Sequence, residues 1–239
     1  MALTQDQVLN ALRDVEMKRP RALVAVCAVL GVILWWGWDV QGPSLSAAEP
    51  HSEIAQHLHA LQDEDYHVRW QALEALGKLG PDSAPAVPAL IDALDDEYCR
   101  YRAIHVLGQI GSAAAPAVPM LVDRLTVTLA NAEYRDRETE VAGIIWTLGR
   151  IGPPAMAALP VLRQALRDAD SNIRYEAAHA VGELGAGARE AIPDLEVALH
   201  DREYVGLYVY PYGQTVGEAA AQSLNKLRGA ISSGPPGGS

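Results

Sequence analysis

The sequence is poor in cysteine, which excludes several common ways of stabilising a fold or holding a cofactor. It contains two, Cys27 in an apolar run near the N-terminus and Cys99 far along the chain. The pair therefore cannot form a disulfide framework, and packing must hold the fold. No Cys-x-x-Cys-His sequence for covalent haem and no paired Cys-x-x-Cys sequence for zinc is present.

Sequence motifs that mark enzymes are also missing. There is no Gly-rich phosphate loop, no Gly-x-Ser-x-Gly elbow and no His-Glu-x-x-His sequence. No pair of carboxylates can be nominated as catalytic. The sequence therefore predicts a protein without enzymatic activity, cofactor or metal.

Positive charge is scarce as well. The chain has 19 Lys and Arg against 30 Asp and Glu, for a net charge of -11. Nucleic-acid binding depends largely on cations that displace counterions from the phosphates, so this balance argues against a nucleic-acid partner. A hydrophobic share of 49% is enough to bury a core.

One uncharged apolar run stands near the N-terminus. Residues 22–38 read ALVAVCAVLGVILWWGW, which is at the short end of what a membrane-spanning helix needs. Basic residues precede the run and tryptophans close it, as expected for cytoplasmic and interfacial flanks respectively. These flanking residues are Arg19, Arg21, Trp35, Trp36 and Trp38. We predict a single transmembrane helix over 22–38, with the N-terminus in the cytoplasm and the later residues outside it, at a bacterial inner membrane.

The segments beside this run are shorter and more polar. Residues 1–21 contain a capping box from Thr4 to Gln7 followed by hydrophobic residues at helical intervals, which predicts a cytoplasmic amphipathic segment. Residues 39–49 form a linker. An alternative is a cleaved secretory signal, because Ser46-Ala47-Ala48 offers a small-residue cleavage site.

Beyond residue 50 the chain repeats itself. A Leu-Gly or Val-Gly pair precedes a second glycine by three residues, and these closing glycines, Gly80, Gly111, Gly152 and Gly185, stand 31, 41 and 33 residues apart. An apolar residue followed by proline recurs with the same spacing, at Val87-Pro88, Val118-Pro119, Leu159-Pro160 and Ile192-Pro193. Two independent markers with one period predict a repeat architecture.

Each unit has the pattern of two helices. In the second unit, apolar residues recur at helical intervals over 87–94 and again over 103–110. Proline is tolerated in the first turn of a helix, and the closing glycine suits a helix end. We therefore predict an all-α fold, an α-solenoid of about five two-helix repeats over 50–230, followed by a flexible tail over 231–239.

These units resemble the HEAT-like repeats first named from phycobilin lyases, in their Arg, Ala-Ala, Leu-Gly and Ile-Gly pattern. The likeness covers about residues 50–228. It implies an architecture more than an activity, since such repeats recur in scaffolds, adaptors and a few enzymes. Family repeats often pair an Asp in the turn with an Arg that begins the second helix. Such Arg–Asp pairs form a ladder between neighbouring units, and we call each pair a rung. Arg69, Arg100 and Arg174 match that Arg. Val141 and Gly217 replace it in the third and fifth units, so the rungs of these two units are expected to be missing.

The second helices supply candidate partner-binding residues. Ten residues before the closing glycine stand Trp70, Tyr101 and Tyr175, and six residues before it stand Glu74, His105, Trp146 and His179. Positions four apart share one helical surface, so the side chains are predicted to line the concave groove, with the aromatic content typical of interface hot spots. The alternative is that they cover helix edges between repeats. His105 and His179 cannot share a metal ion, because a whole repeat separates them.

A second candidate surface is the insertion over residues 200–215. It contains Tyr204, Tyr208, Tyr210 and Tyr212. Loops on a rigid scaffold commonly carry function. The alternative is a cover for the open end of the solenoid, because a terminal repeat needs a cap.

Together these patterns predict a membrane-anchored protein–protein interaction or scaffold module, an accessory subunit or assembly factor of a larger membrane complex. It would contact the lipid bilayer through residues 22–38. The alternative, implied only by the resemblance, is a chromophore or prosthetic-group lyase related to phycobilin lyases.

We expect the full-length protein to stay in the membrane fraction after alkaline carbonate washing, because the uncharged run anchors it. Protease added outside intact spheroplasts should then digest the region after Pro50. Soluble protein with an N-terminus near Glu49 would establish signal cleavage instead. Protection of the repeats until lysis would reverse the predicted topology.

Overall fold

The computed structural model describes residues 50–131, 133, 136–205 and 214–232. Helices alternate in pairs through these residues. The first helices of the five units are α1 (Pro50–Ala60), α3 (Val87–Asp92), α5 (Val118–Ala130), α7 (Leu159–Ala165) and α9 (Ile192–Ala198). The second helices are α2 (Tyr66–Leu79), α4 (Arg100–Ile110), α6 (Arg137–Ile151), α8 (Ser171–Glu183) and α10 (Val216–Ser232). The predicted α-solenoid is therefore confirmed.

The predicted transmembrane helix over 22–38, the segments 1–21 and 39–49, and residues 233–239 lie outside the described residues. Within the described residues, Arg100–Ala130 is long and apolar enough by length and composition to cross a membrane. This stretch contains α4, α5 and the turn between them, and 50% of its apolar window is buried inside the solenoid. Its apolar character is therefore explained by the core.

The closing glycines end the second helices at a backbone conformation that other residues rarely adopt. Gly80, Gly111, Gly152 and Gly185 have φ between 56° and 76°, and no other described residue has a positive φ. From each of them a short 3-10 segment leads to the next first helix, whose proline occupies the first turn. The predicted roles of the glycine and proline markers are confirmed.

The core runs as a continuous column between the two layers of helices. An aliphatic residue that is at most 2% exposed stands four residues before each closing glycine and at the equivalent position of α10. These residues are Leu76, Leu107, Leu148, Val181 and Leu224. The first helices add Leu90, Leu121, Leu162 and Leu195, each 0% exposed. The two helices of each unit pack on one another and on the neighbouring units, so the core depends on stacking.

The first glycine of each pair allows the second helices to approach one another closely. A Cβ added to Gly182 would lie 2.9 Å from the Cα of Ser223 in α10, and one added to Gly149 would lie 3.1 Å from the Cα of Ala180 in α8. Side-chain atoms of Gln109 and Trp146 similarly cover Gly77 and Gly108. The repeated glycine therefore sets the spacing between units.

Arginine side chains also join each unit to the next. Arg69 Nε donates to Asp96 over 2.7 Å and Arg174 Nε donates to Asp201 over 2.7 Å, in each case from one second helix to the following turn. Burial raises the pKa of Asp96, but the hydrogen bonds from Arg69 and from the Tyr98 amide, together with the charge of Arg69, outweigh it and leave that pKa below its ordinary value. These two rungs confirm the arginine pattern expected from the family resemblance.

The expected loss of the rung in the third unit is wrong. Val141 does occupy the expected position, but Arg137, one helical turn earlier, donates to both carboxylate oxygens of Asp168 and to the carbonyl of Leu129. The insertion before α6 shifts the start of the helix, so its first residue takes over the role. No arginine stands in the first turn of α10, where Gly217 occupies the matching position.

The rung between the second and third units has a different acceptor. The turn there carries Asn131 in place of aspartate, and Arg100 lies 3.9 Å from the carboxylate of Glu140 instead. Glu140 is only 1% exposed and also accepts a hydrogen bond from Arg124. A buried glutamate with two arginines therefore replaces the usual turn aspartate.

We expect Gly182→Ala to lower the free energy of unfolding by about 1 to 3 kcal/mol, because the new methyl group meets the backbone of α10. Gly229→Ala is the matched control, since nothing lies within 4 Å of its Cβ position. Alanine should stabilise that helix by up to about 1 kcal/mol. Urea unfolding of the full-length protein, followed by helical circular dichroism, measures both changes. Equal unfolding midpoints would show that α8 and α10 are not in close contact.

Candidate functional site

The candidate surface is the side of the second helices that faces away from the core. Successive second helices pack on one another far more extensively than successive first helices do. Their unburied positions stand nine, six and two residues before the closing glycine, and we call them the inner face. The inner face consists of Gln71, Arg102, Gly143 and Glu176, of Glu74, His105, Trp146 and His179, and of Lys78, Gln109, Arg150 and Glu183.

Aromatic rings stay accessible at the amino-terminal end of this surface. Trp70 is 42% exposed, and the guanidinium carbon of Arg102 lies 5.6 Å from its ring centroid. Tyr66 and Tyr98, both exposed, place their ring centroids 5.2 Å apart. Aromatic residues and arginine are enriched in protein–protein interfaces, so this group of side chains has the composition of an interface.

A stacked pair occupies the middle of the inner face. The rings of His105 and Trp146 lie 4.7 Å apart with an angle of 20° between their planes. Trp146 reaches across to α4 and lies over Gly108, where a Cβ would come within 2.3 Å of the indole. Burial, with Arg102 nearby, lowers the pKa of His105, so its imidazole is mostly neutral at pH 7. The pair therefore joins two units and still presents a surface.

A small pocket lies next to this pair, between α6 and α8. Its volume is about 140 Å³, and Trp146, Arg150, Glu176, His179 and Glu183 line it together with the backbone at Gly149 and Ala180. Burial raises the pKa of Glu176 to about 7. Burial and then Lys226 lower the pKa of His179. The pocket thus holds a carboxyl group close to its midpoint of ionisation at neutral pH.

The repeats match a known family along most of the described chain. A family model described as HEAT repeats matches residues 54–131 and 129–205. The chain belongs to the HEAT repeat family.

Among solved structures, this HEAT repeat chain is similar to the complex of CpcE and CpcF of phycocyanin lyase from Nostoc sp. PCC7120. The identity is 23% and the TM-score 0.48, over 83% of this chain and 70% of that chain. A likeness at this level concerns the fold alone. No curated protein matches the chain.

Five of the predicted partner-binding residues lie on or beside the inner face of the HEAT repeats. Glu74, His105, Trp146 and His179 belong to it, and the exposed Trp70 borders it. Tyr101, at the same register as Trp70, is partly buried.

The placement of Tyr175 on the groove is wrong. Its ring is 2% exposed, and its hydroxyl donates to Oε1 of Gln214 over 2.9 Å. In α8 the position ten residues before the closing glycine faces the following unit, so the large Tyr175 side chain packs between repeats. For this residue the alternative reading, a cover between repeats, is the correct one.

The remaining predicted residues give less information. Tyr204 is 71% exposed, and its backbone forms an isolated antiparallel bridge with Thr215. Tyr208, Tyr210 and Tyr212 lie outside the described residues. So do the predicted membrane-interface residues Arg19, Arg21, Trp35, Trp36 and Trp38.

Sequence reasoning missed Glu176. A signal was available, because Glu176, His179 and Glu183 are spaced three and four residues apart and therefore share one face of α8. The prediction considered only the positions ten and six residues before the closing glycine. It therefore placed Tyr175 on that face and left out Glu176, which stands nine residues before the glycine. In the described part of the chain, no group of three His, Cys, Asp or Glu side chains is arranged to hold a metal ion.

We expect Tyr175→Ala and Trp70→Ala to differ sharply although they share a register. Tyr175→Ala should lower the free energy of unfolding by about 3 to 5 kcal/mol, because it opens a cavity and leaves Gln214 unpaired. Trp70→Ala should change it by less than about 1 kcal/mol, as expected for a partly exposed side chain. Chemical unfolding of each full-length variant gives the comparison. A Tyr175→Ala variant as stable as wild type would restore the groove assignment.

Proposed function

We propose that this HEAT repeat chain is a membrane-anchored protein–protein interaction module, an accessory subunit or assembly factor of a larger membrane complex. The observation that carries the proposal is the inner face, where accessible aromatic rings and unburied charges lie on a rigid column of stacked units. Trp70 and Trp146 are partly accessible although tryptophan is among the most costly residues to leave in water. A partner that covers them gains the burial energy typical of a hot spot.

The small volume of the pocket on the inner face favours a protein partner over a pigment at that surface. The inner-face pocket has a volume of about 140 Å³, whereas sites for drug-sized ligands usually span about 300 to 1,000 Å³. Larger grooves of about 420 and 500 Å³ lie at the turn edges, where arginines in ion pairs line them. These grooves follow from the rung geometry of the repeats.

The membrane part of the proposal rests on the sequence. The uncharged run over 22–38 with its basic and tryptophan flanks supports an anchor with the N-terminus in the cytoplasm and the HEAT repeats outside it, at a bacterial inner membrane. The net charge of -11 supports a protein partner over a nucleic acid.

We expect the full-length protein, purified from its own membranes in mild detergent, to retain a stoichiometric protein partner and no bound pigment. Trp70→Ala should reduce the retained partner at least about fivefold, which corresponds to a hot spot of about 1 kcal/mol. Val197→Ala, on the outer helix α9 at a side chain that is 77% exposed, is the control and should retain the partner fully.

Gel quantification, mass spectrometry and an absorption spectrum of the same sample provide the readouts. Equal retention by Trp70→Ala and wild type would remove the amino-terminal end of the inner face from the interface. A visible absorption band without a protein partner would favour the lyase function instead.

A further inference from the structure

Glu176, in the pocket between α6 and α8, differs from the other buried or partly buried acidic residues named here in that no cation lies within ion-pair distance of its carboxyl group. Glu140 is paired with Arg124 and Arg100, Asp194 with Arg163 and Arg167, and Asp168 with Arg137, as the distances between their charged groups show. Glu176 has no hydrogen bond and no ion pair within the described part of the chain, although it is largely shielded from water. A shielded carboxyl group without a partner is unfavourable when ionised, and a cation brought into contact would relieve that cost.

The charged groups around Glu176 are already committed or neutral. Lys226 of α10 is paired with Glu183, which belongs to the same helix as Glu176. Arg150 of α6 lies over the Trp146 ring, with its guanidinium carbon 6.0 Å from the centroid. The lowered pKa of His179 leaves its imidazole mostly neutral at pH 7. None of these groups neutralises Glu176, so burial alone accounts for its raised pKa.

The shape of the pocket fits the end of one long side chain. Its floor is the close contact of α6 and α8, where a Cβ on Gly149 would lie 3.1 Å from the Cα of Ala180. Its wall is the indole of Trp146, an apolar surface of the kind on which Lys and Arg lay their aliphatic stems while the charged head reaches a carboxylate. A volume of about 140 Å³ is too small for a cofactor.

We infer that this pocket receives an arginine or lysine side chain of the protein partner, whose charge pairs with Glu176. This inference rests on the proposed function and names the chemistry of the partner at that surface. The net charge of -11 agrees with a partner that presents basic residues here. The carboxylate is held ready by burial, so pairing would draw it fully into its ionised form.

A small probe tests the pocket without the partner. The probe is N-acetyl-arginine amide, and its neutral isostere N-acetyl-citrulline amide is the control. In full-length protein labelled with ¹³C-glutamate, Glu176→Gln identifies the carboxyl resonance of Glu176. A probe concentration on the order of 100 mM covers the weak affinity expected of one side chain. We expect the arginine probe to lower the pKa of Glu176 measurably and the citrulline probe to leave it unchanged. Equal effects of the two probes, or no effect of the arginine probe at this concentration, would overturn the inference.

Partner retention provides the second measurement. Glu176→Gln should reduce the partner retained from native membranes at least about tenfold, in keeping with a buried interfacial charge pair. Glu190→Gln, an exposed glutamate outside the inner face, should retain it fully. Glu176→Gln removes a buried charge, so it should unfold at the same or a higher temperature than wild type at pH 8, which separates lost binding from misfolding.

The two measurements also distinguish a failure of the proposed function from a failure of the inference about the pocket. If wild type retains no protein partner, the proposed function is wrong, while the probe still decides whether the pocket takes a cation. If wild type retains a partner and Glu176→Gln retains it equally, the pocket is not the contact.

Discussion

The geometry of the solenoid depends on an arginine that serves two units at once. Arg69 and Arg174 each donate to two carbonyl oxygens of their own turn and to the aspartate of the next. The carbonyl contacts fix where the guanidinium stands, and the carboxylate contact fixes where the next unit must lie. An ion pair of this kind need not add much net stability, since desolvation offsets the attraction. Its value is positional, because it sets the orientation in which the apolar faces meet.

Close backbone packing completes that constraint. The arginine rungs act at the turns, while the glycines of the Leu-Gly or Val-Gly pairs let successive second helices approach one another closely. Side chains at the inner face cannot sink into a gap between such helices, so they remain at the surface. The partial exposure of Trp146 and His179 thus follows from the spacing imposed elsewhere in the repeat.

The repeat period, together with its glycine and proline markers, allowed much of the fold to be predicted from the sequence. Closing glycines, first-turn prolines and aliphatic residues four before the helix end all reflect requirements of a single unit, and these predictions were correct. The role of Arg137 was missed because an insertion moved the start of its helix. Tyr175 was misplaced because its side chain packs between two units and does not face the groove. The spacing within α8 could have placed Glu176 on the inner face, but it could not show that no cation of the neighbouring helices pairs with the carboxyl group. The anchor over 22–38 stays a prediction.

The rung chemistry gives the stack a direction with two unlike ends. Each of the first four units offers an arginine to an acidic group of the next, so units join head to tail, the type of contact that generates open filaments when it repeats without closing. At the carboxyl-terminal end, Gly217 stands where the donating arginine would be, and no arginine lies in the first turn of α10. At the opposite end Asp63 occupies the position of the turn aspartate, and its Oδ1 accepts a hydrogen bond from the Asp65 amide. Within the described residues the series of rungs therefore ends at the fifth unit, which receives Arg174 through Asp201 and offers no arginine of its own.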